Sequence, residues 1–153
     1  MAQFPARLTR AESEFVLDQI ELGFDAHGFG IWCVETLDDE TFLGITGLST
    51  VPFTEHFTPA VEIGWRLLPT AWGQGYATEA ARAVLAHGFT ESGLPEIVSF
   101  ASKTNTRSIA VMARLNMHHD PDGDFLHPLM DESHPLAPHT LYRLSKAEWD
   151  AAH

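Results

Sequence analysis

Apolar and polar positions alternate with period two through Val61-Glu62-Ile63-Gly64-Trp65-Arg66-Leu67. That spacing puts Val61, Ile63, Trp65 and Leu67 on one face of a strand and Glu62, Gly64 and Arg66 on the other. Pro69 stops strand pairing, and Trp72-Gly73-Gln74-Gly75-Tyr76 follows. The period then changes: Ala77, Ala80, Ala81, Val84 and Leu85 recur at helical spacing, predicting a helix from about Gly75 to near Gly93. Glu96 to Ala101 is the next strand, so strand, glycine turn, helix and strand form a βαβ-like step.

Upstream, Thr9-Arg10-Ala11-Glu12 has the pattern of a capping box. Val16 or Leu17, with Ile20 and Phe24, makes an apolar helical stripe, either core or the wall of a substrate groove, and Gly28 suits the end of that helix. Ile31 to Glu35 and Phe42 to Ser49 read as two strands around a hairpin turn at Leu37 to Glu40. Gly44 and Gly47 mark bends or close backbone approach. With the strand at Val61 these form an antiparallel meander, after a loop from Val51 to Pro59. Downstream, Thr104 or Asn105 caps a second helix carrying Ile109, Met112 and Ala113, and Asn116 suits its left-handed end. Met117 to His139 is irregular, with a turn at Asp120 to Asp124. His139 to Leu144 is a last strand, and Ala147 to His153 reads as a frayed acidic tail.

The glycine turn has a chemical use. The first amides of a helix lack partners within it and carry the positive end of its dipole. Gly73 and Gly75 would let a bulky anion such as a pyrophosphate approach that backbone; the plainer alternative is a short loop that contains two glycines. No Gly-Lys-Ser/Thr opens the helix, which excludes a nucleoside-triphosphate loop, and a dinucleotide fold would want three spaced glycines.

At 153 residues the size suggests one domain spanning 1–153. No apolar run approaches a membrane span, and no signal pattern opens the chain. The single cysteine, Cys33, fits a reducing compartment, so a cytoplasmic protein without a membrane partner is expected. A formal charge of −12 argues against a nucleic-acid partner. Within that acidic balance Arg66, Arg82, Lys103, Arg107 and Arg114 cluster in the half that carries the glycine turn.

Glu62-Ile63-Gly64-Trp65-Arg66-Leu67 followed by Trp72-Gly73-Gln74-Gly75-Tyr76-Ala77-Thr78-Glu79-Ala80 resembles the acyl-CoA-binding turn of the GNAT N-acetyltransferases. It is most similar to the branch of the ribosomal-protein N-terminal acetyltransferases (RimJ/RimL-like). Trp72 departs from the broad family's Gln/Arg-x-x-Gly-x-Gly/Ala, as is common in that branch, and the resemblance continues through Asn105-Thr106-Arg107-Ser108 to Tyr142-Arg143-Leu144. It implies an α+β fold: a central, mostly antiparallel twisted sheet with a βαβ cofactor-binding step and flanking helices. It also implies acetyl-CoA as cosubstrate and a primary amine as acceptor, either a protein or peptide N-terminus or a small amine. A non-catalytic acyl-CoA-binding or sensing module is the alternative.

By the same resemblance Gln74, Gly75, Tyr76, Ala77 and Thr78 give backbone amides to the pyrophosphate, and Ile63, Trp65 and Leu67 pair main-chain groups with the pantetheine amides. Asn105 hydrogen-bonds the pantetheine arm, caps its helix, or does both, and Arg107 meets a phosphate or stands solvated. Glu62 is a carboxylate where burial is costly: a general base, or a group that pairs with Arg66 or points into the cleft without chemistry. Ser108 hydrogen-bonds the leaving sulfur or its own helix. Glu55 and His56 line the acceptor mouth or an exposed loop. The nine histidines include the adjacent His118-His119, which cannot readily chelate one ion, and no metal is expected.

Family members usually carry a strand and short helix ahead of the position matched by Leu8, and this sequence leaves no room for them. The chain is therefore expected to belong to a longer ancestral reading frame or to be trimmed. The apolar edge of Ile31 to Glu35 would then be covered by a second chain in a homodimer, a swapped segment or a loop.

Overall fold

The computed structural model describes residues 28–153. The capping box at Thr9 and the stripe through Phe24 lie outside the described residues.

The predicted meander is present. Strands β1 (Ile31–Glu35), β2 (Phe42–Thr50) and β3 (Val61–Leu67) pair antiparallel in sequence order. The two glycines of β2 allow close backbone approach: a Cβ on Gly47 would stand 2.2 Å from Gly30 O, and one on Gly44 would stand 2.2 Å from Arg66 O. β1 is the terminal strand of the sheet path among the described residues.

A 3-10 turn, Pro69–Ala71, follows β3, and helix α1 (Tyr76–Ala86) follows the glycine segment. The helix continues into a π-helical turn, His87–Glu91, where Gly88 lies against the sheet. A Cβ on Gly88 would approach Ile97 Cδ1 to 2.8 Å and Leu48 Cδ1 to 2.9 Å, so any side chain here would make these two core methyls shift. Strand β4 (Glu96–Ser102) then lies parallel to β3, as the βαβ-like step requires.

Helix α2 (Thr106–Arg114) is capped by Asn105 and ends beside Asn116 at φ 63°. The segment expected to be irregular contains two short strands, β5 (His118–His119) and β6 (Phe125–Leu126), with a 3-10 turn at Pro121–Gly123 between them. Both strands pair with β7 (Pro138–Ser145), which also runs antiparallel to β4. The sheet order is β1-β2-β3-β4-β7-β5, with β6 on β7, and β3–β4 is its one parallel pairing among the described residues.

The expectation of a frayed tail is overturned. Lys146–Ala152 forms helix α3, and Ser145 and Glu148 make a reciprocal capping box at its start. Trp149 is buried and stacks on Phe89 with ring centroids 5.6 Å apart. The cap supplies partners for end amides, and the indole adds the apolar anchor that so short a helix needs.

The core sits on both faces of the sheet. Ile63, Trp65, Ile97 and Ala101 pack with Ala81, Leu85, Phe89 and Met112 on the helical face. Val98 and Leu141 pack with Val51, Phe57 and Phe125 on the other, with Phe53 and Phe100 against them. Alternation along β4 explains the division: Ile97 and Ala101 face one way, Val98 and Phe100 the other. Among the described residues no helix is long and apolar enough to cross a membrane.

Candidate active site

β3 and β4 share one register pair, Glu62 with Val98, and part beyond it. Leu48, opposite Ile63 on β2, donates its amide to Gly30 on the β1 side. Ile63 therefore turns its main-chain groups toward β4, and by alternation so do Trp65 and Leu67. Two of these carbonyls are engaged: Ser99 Oγ donates to Ile63 O at 3.0 Å, and Trp72 Nε1 donates to Leu67 O at 3.0 Å. This narrows the expectation of uniform pairing along the strand, leaving Trp65 as the residue whose main chain best faces the gap.

A cleft of about 630 Å³ opens between the α1 start and α2, and Trp65, Gly75, Thr78 and Arg107 are among its lining residues. Gly75 is the N-cap of α1 at φ 82°, and Gly73 has φ 75°. A Cβ at either would meet nothing within 4 Å, so the left-handed backbone, not crowding, demands glycine here. The first helical bond runs from Glu79 N to Gly75 O, and no side chain caps the helix. Among the described residues no acceptor takes the amides of residues 73–78. The side chains around that row are fixed. Gln74 Nε2 donates to Thr70 O at 3.1 Å, the Trp72 indole is tied to β3, and the Arg107 guanidinium lies 4.5 Å from the Trp72 ring centroid. Trp72, the departure from the broad family pattern, is thus both a clamp on the turn and a platform for a cation.

Arg82 and Arg114 also line the cleft, with Arg82 Nη2 donating to Arg114 O at 3.2 Å. Neither stands out from the sequence as a site residue. The signal was the local excess of arginine, and the geometry adds that Arg82, Arg107 and Arg114 converge on one cleft from two helices. The donor set of this cleft, unpartnered amides and guanidinium groups, fits a diphosphate carrier such as acetyl-CoA.

Ser108 is buried and lines this cleft together with a second cavity of about 270 Å³. Trp65 lines both as well, so the two spaces meet where Trp65 faces Ser108. Ser108 N donates to Asn105 Oδ1 at 3.2 Å, while no described residue accepts its hydroxyl. The alternative of a serine satisfied by its own helix is therefore not what is found. Asn105 caps α2 through that oxygen and lines the second cavity.

Glu62 lines the same cavity. Its hydrogen-bond partner among the described residues is Ser49 Oγ, which donates to Oε1 at 3.4 Å, so the alternative of pairing with Arg66 is not what is found and a serine across the β2–β3 ladder stands there instead. Burial raises the carboxyl from 4.5 to about 7, and the long bond to Ser49 opposes this only weakly. The group thus changes charge near neutrality, in the range a general base needs. Neither Glu55 nor His56 lines the cavity, and His56 Nε2 lies 3.2 Å from Gly123 O instead. His127 and His139 do line it, brought there by β6 and β7, a placement that sequence spacing did not reveal. Among the described residues no three His, Cys, Asp or Glu side chains converge as metal ligands.

Residues 1–118 match the family described as the acetyltransferase (GNAT) domain. The chain is 41% identical over 96 residues to the FsC-acetyl coenzyme A-N(2)-transacetylase of Aspergillus fumigatus, covering 60% of this chain and 40% of that protein. It spans about half the length of the curated relatives it matches, between 40% and 54% for three of them. An acetyltransferase structure from Agrobacterium tumefaciens superposes with a TM-score of 0.71 at 28% identity, over 92% of this chain and 74% of that one. A ribosomal-protein-S5-alanine acetyltransferase from Vibrio fischeri shares the fold, with a TM-score of 0.74 at 18% identity, over 97% of this chain and 81% of that one.

Proposed function

The chain belongs to the GNAT acetyltransferases, and from that premise we propose that it is an acetyl-CoA-dependent N-acetyltransferase acting on a primary amine. The observation that carries this reading is the row of unpartnered amides at 73–78, one cleft away from a carboxylate that titrates near 7. Acetyl-CoA supplies the acetyl thioester. The amides of Gln74, Gly75, Tyr76, Ala77 and Thr78 hold its diphosphate, with Arg107 as the neighbouring cation. The Trp65 main chain, flanked by Ile63 and Leu67, and the Asn105 side-chain amide orient its arm toward the junction of the two cavities.

Glu62 in its carboxylate form takes the proton that the incoming ammonium must lose, directly or through a water. Ser108 Oγ, free of any described acceptor, hydrogen-bonds the departing sulfur. A hydroxyl of ordinary acidity stabilises a thiolate better than it protonates one. Within the family we assign the chain to the ribosomal-protein N-terminal acetyltransferase-like branch, on the strength of Glu62 to Leu67 and Trp72 to Ala80, with a peptide N-terminus or a small amine as acceptor.

A thermal melt with acetyl-CoA, then mass spectrometry of an amine and peptide library, tests this. Saturating cofactor is expected to raise the melting temperature, since ligand at about 100 Kd adds about 2.7 kcal/mol of stability. An acetylated product, +42 Da by simple addition of C2H2O, is expected to follow. An unmoved melt contradicts the reading.

A further inference from the structure

The cavity on the Glu62 side sets one carboxylate among apolar and aromatic groups. Its lining includes Glu62, Phe100, His127, Met130, Leu136 and His139; the polar Ser99 and Ser102 line it too, with their hydroxyls engaged by Ile63 O and Thr104 Oγ1, as does Asn105. Glu62 is its one carboxylate among the described residues. Phe100, His127 and His139 form a continuous ring cluster: His127 and His139 lie 4.9 Å apart, and Phe100 is 6.3 Å from one and 6.2 Å from the other. Phe53 and Phe125 back it, with Phe53 4.9 Å from His127. Burial lowers both histidines from 6.5, so at neutral pH they present uncharged rings. Glu55 acts on His127 electrostatically from outside the lining. On the same segment Leu126 and Leu129 expose their side chains, as do Asp131 and Glu132.

We propose that this cavity selects an amine borne on a single apolar or aromatic body, and that it rejects diamines and polyamines. One ammonium group meets Glu62, and the remainder of the ligand meets Phe100, Met130, Leu136 and the two imidazoles. A second ammonium would lose its water among these groups, and no second carboxylate among the described lining residues replaces it. One ring face does not offset that loss. The volume of about 270 Å³ limits the body to a small group. This rests on the acetyl-transfer reading only for which end of the ligand enters first. The favoured chemistry has two sources, a free arylalkyl or alkyl amine and a peptide that begins with an apolar residue.

The full chain, saturated with CoA, is titrated calorimetrically with 2-phenylethylamine, isopentylamine, a peptide beginning with phenylalanine, 1,5-diaminopentane and spermidine. At least one apolar probe is expected to bind about tenfold or more tightly than either polycation, and the probe that does so identifies the source. Equal or tighter binding of a polycation, or no binding by any apolar probe, overturns the proposal. Leu136→Glu and Met130→Glu, both at half-buried positions, are expected to move the ratio toward 1,5-diaminopentane by several-fold, about 3 to 10. An unmoved ratio in a variant that still binds CoA overturns it as well. Binding is read apart from turnover. An apolar amine that binds without being acetylated leaves this inference standing and contradicts the catalytic reading. Preferential acetylation of spermidine does the reverse.

Discussion

Glu62 stands opposite Val98 at the single point where β3 and β4 pair among the described residues, and the cleft beside the glycine turn and the second cavity share Trp65 and Ser108 beyond this pair. One face of the parting strands thus holds the titrating carboxylate, and the main chain of the other face points into the space where a thioester would lie. The glycine turn aims the α1 amides at the same space from the far side.

Glu62→Gln is expected to lower kcat/KM for amine acetylation by about 100-fold or more and to remove the rise in rate with pH through about 7. In the parent protein the base is lost as pH falls below about 7, because the carboxyl is then protonated. A pH–rate profile of both proteins checks this, and a parallel profile in the variant contradicts it. Stability moves the other way. The folded state holds this proton to about 7 while the unfolded chain releases it near 4.5, so stability from this group falls as pH rises from 4.5 through 7. Glu62→Gln is therefore expected to be more stable than the parent at pH 8, by about 3 kcal/mol, and no more stable at pH 4. Urea denaturation at the two pH values reads the difference.

Gly75→Val is expected to weaken CoA binding by about 10-fold or more, because the φ of 82° that aligns the amides is strained for a β-branched residue. No protein atom stands within 4 Å of the new Cβ, so the fold is expected to survive. Calorimetry with CoA, beside circular dichroism of the variant, separates the two effects.

Trp149→Ala is expected to destabilise the protein by about 3 kcal/mol, since it empties the contact with Phe89 at the heart of the helical-face core. Chemical denaturation measures it, and a change below about 1 kcal/mol would mean that α3 is only loosely docked.

Much of this was legible because local physics decides it. Period-two alternation located β3, strand-like runs bounded by turn signals located β1, β2, β4 and β7, and the adjacency of Gly73 and Gly75 to an alanine-rich helix located the turn with its unpartnered amides. Asn116 announced its positive φ. What was missed is of two kinds. α3 carries its start signal in Ser145 and Glu148, but its few residues make the helical period too short to see, and its anchor, Phe89, lies far away in sequence. The cavity beside Glu62 is assembled from β3, β4, α2 and the His127 to His139 segment, and no sequence spacing reports that convergence. Likewise the choice of Ser49 over Arg66 as partner of Glu62 follows from strand register, which places Ser49 directly opposite.

The most direct test of the central claim is an amide-resolved NMR titration of the full chain with CoA, alongside dephosphorylated pantetheine, which lacks the diphosphate. If the amides of residues 73–78 grip the diphosphate, they shift together with CoA and slow their exchange with solvent, while pantetheine leaves them unmoved. Amides of 73–78 that stay in place while CoA binds elsewhere on the protein would contradict the account.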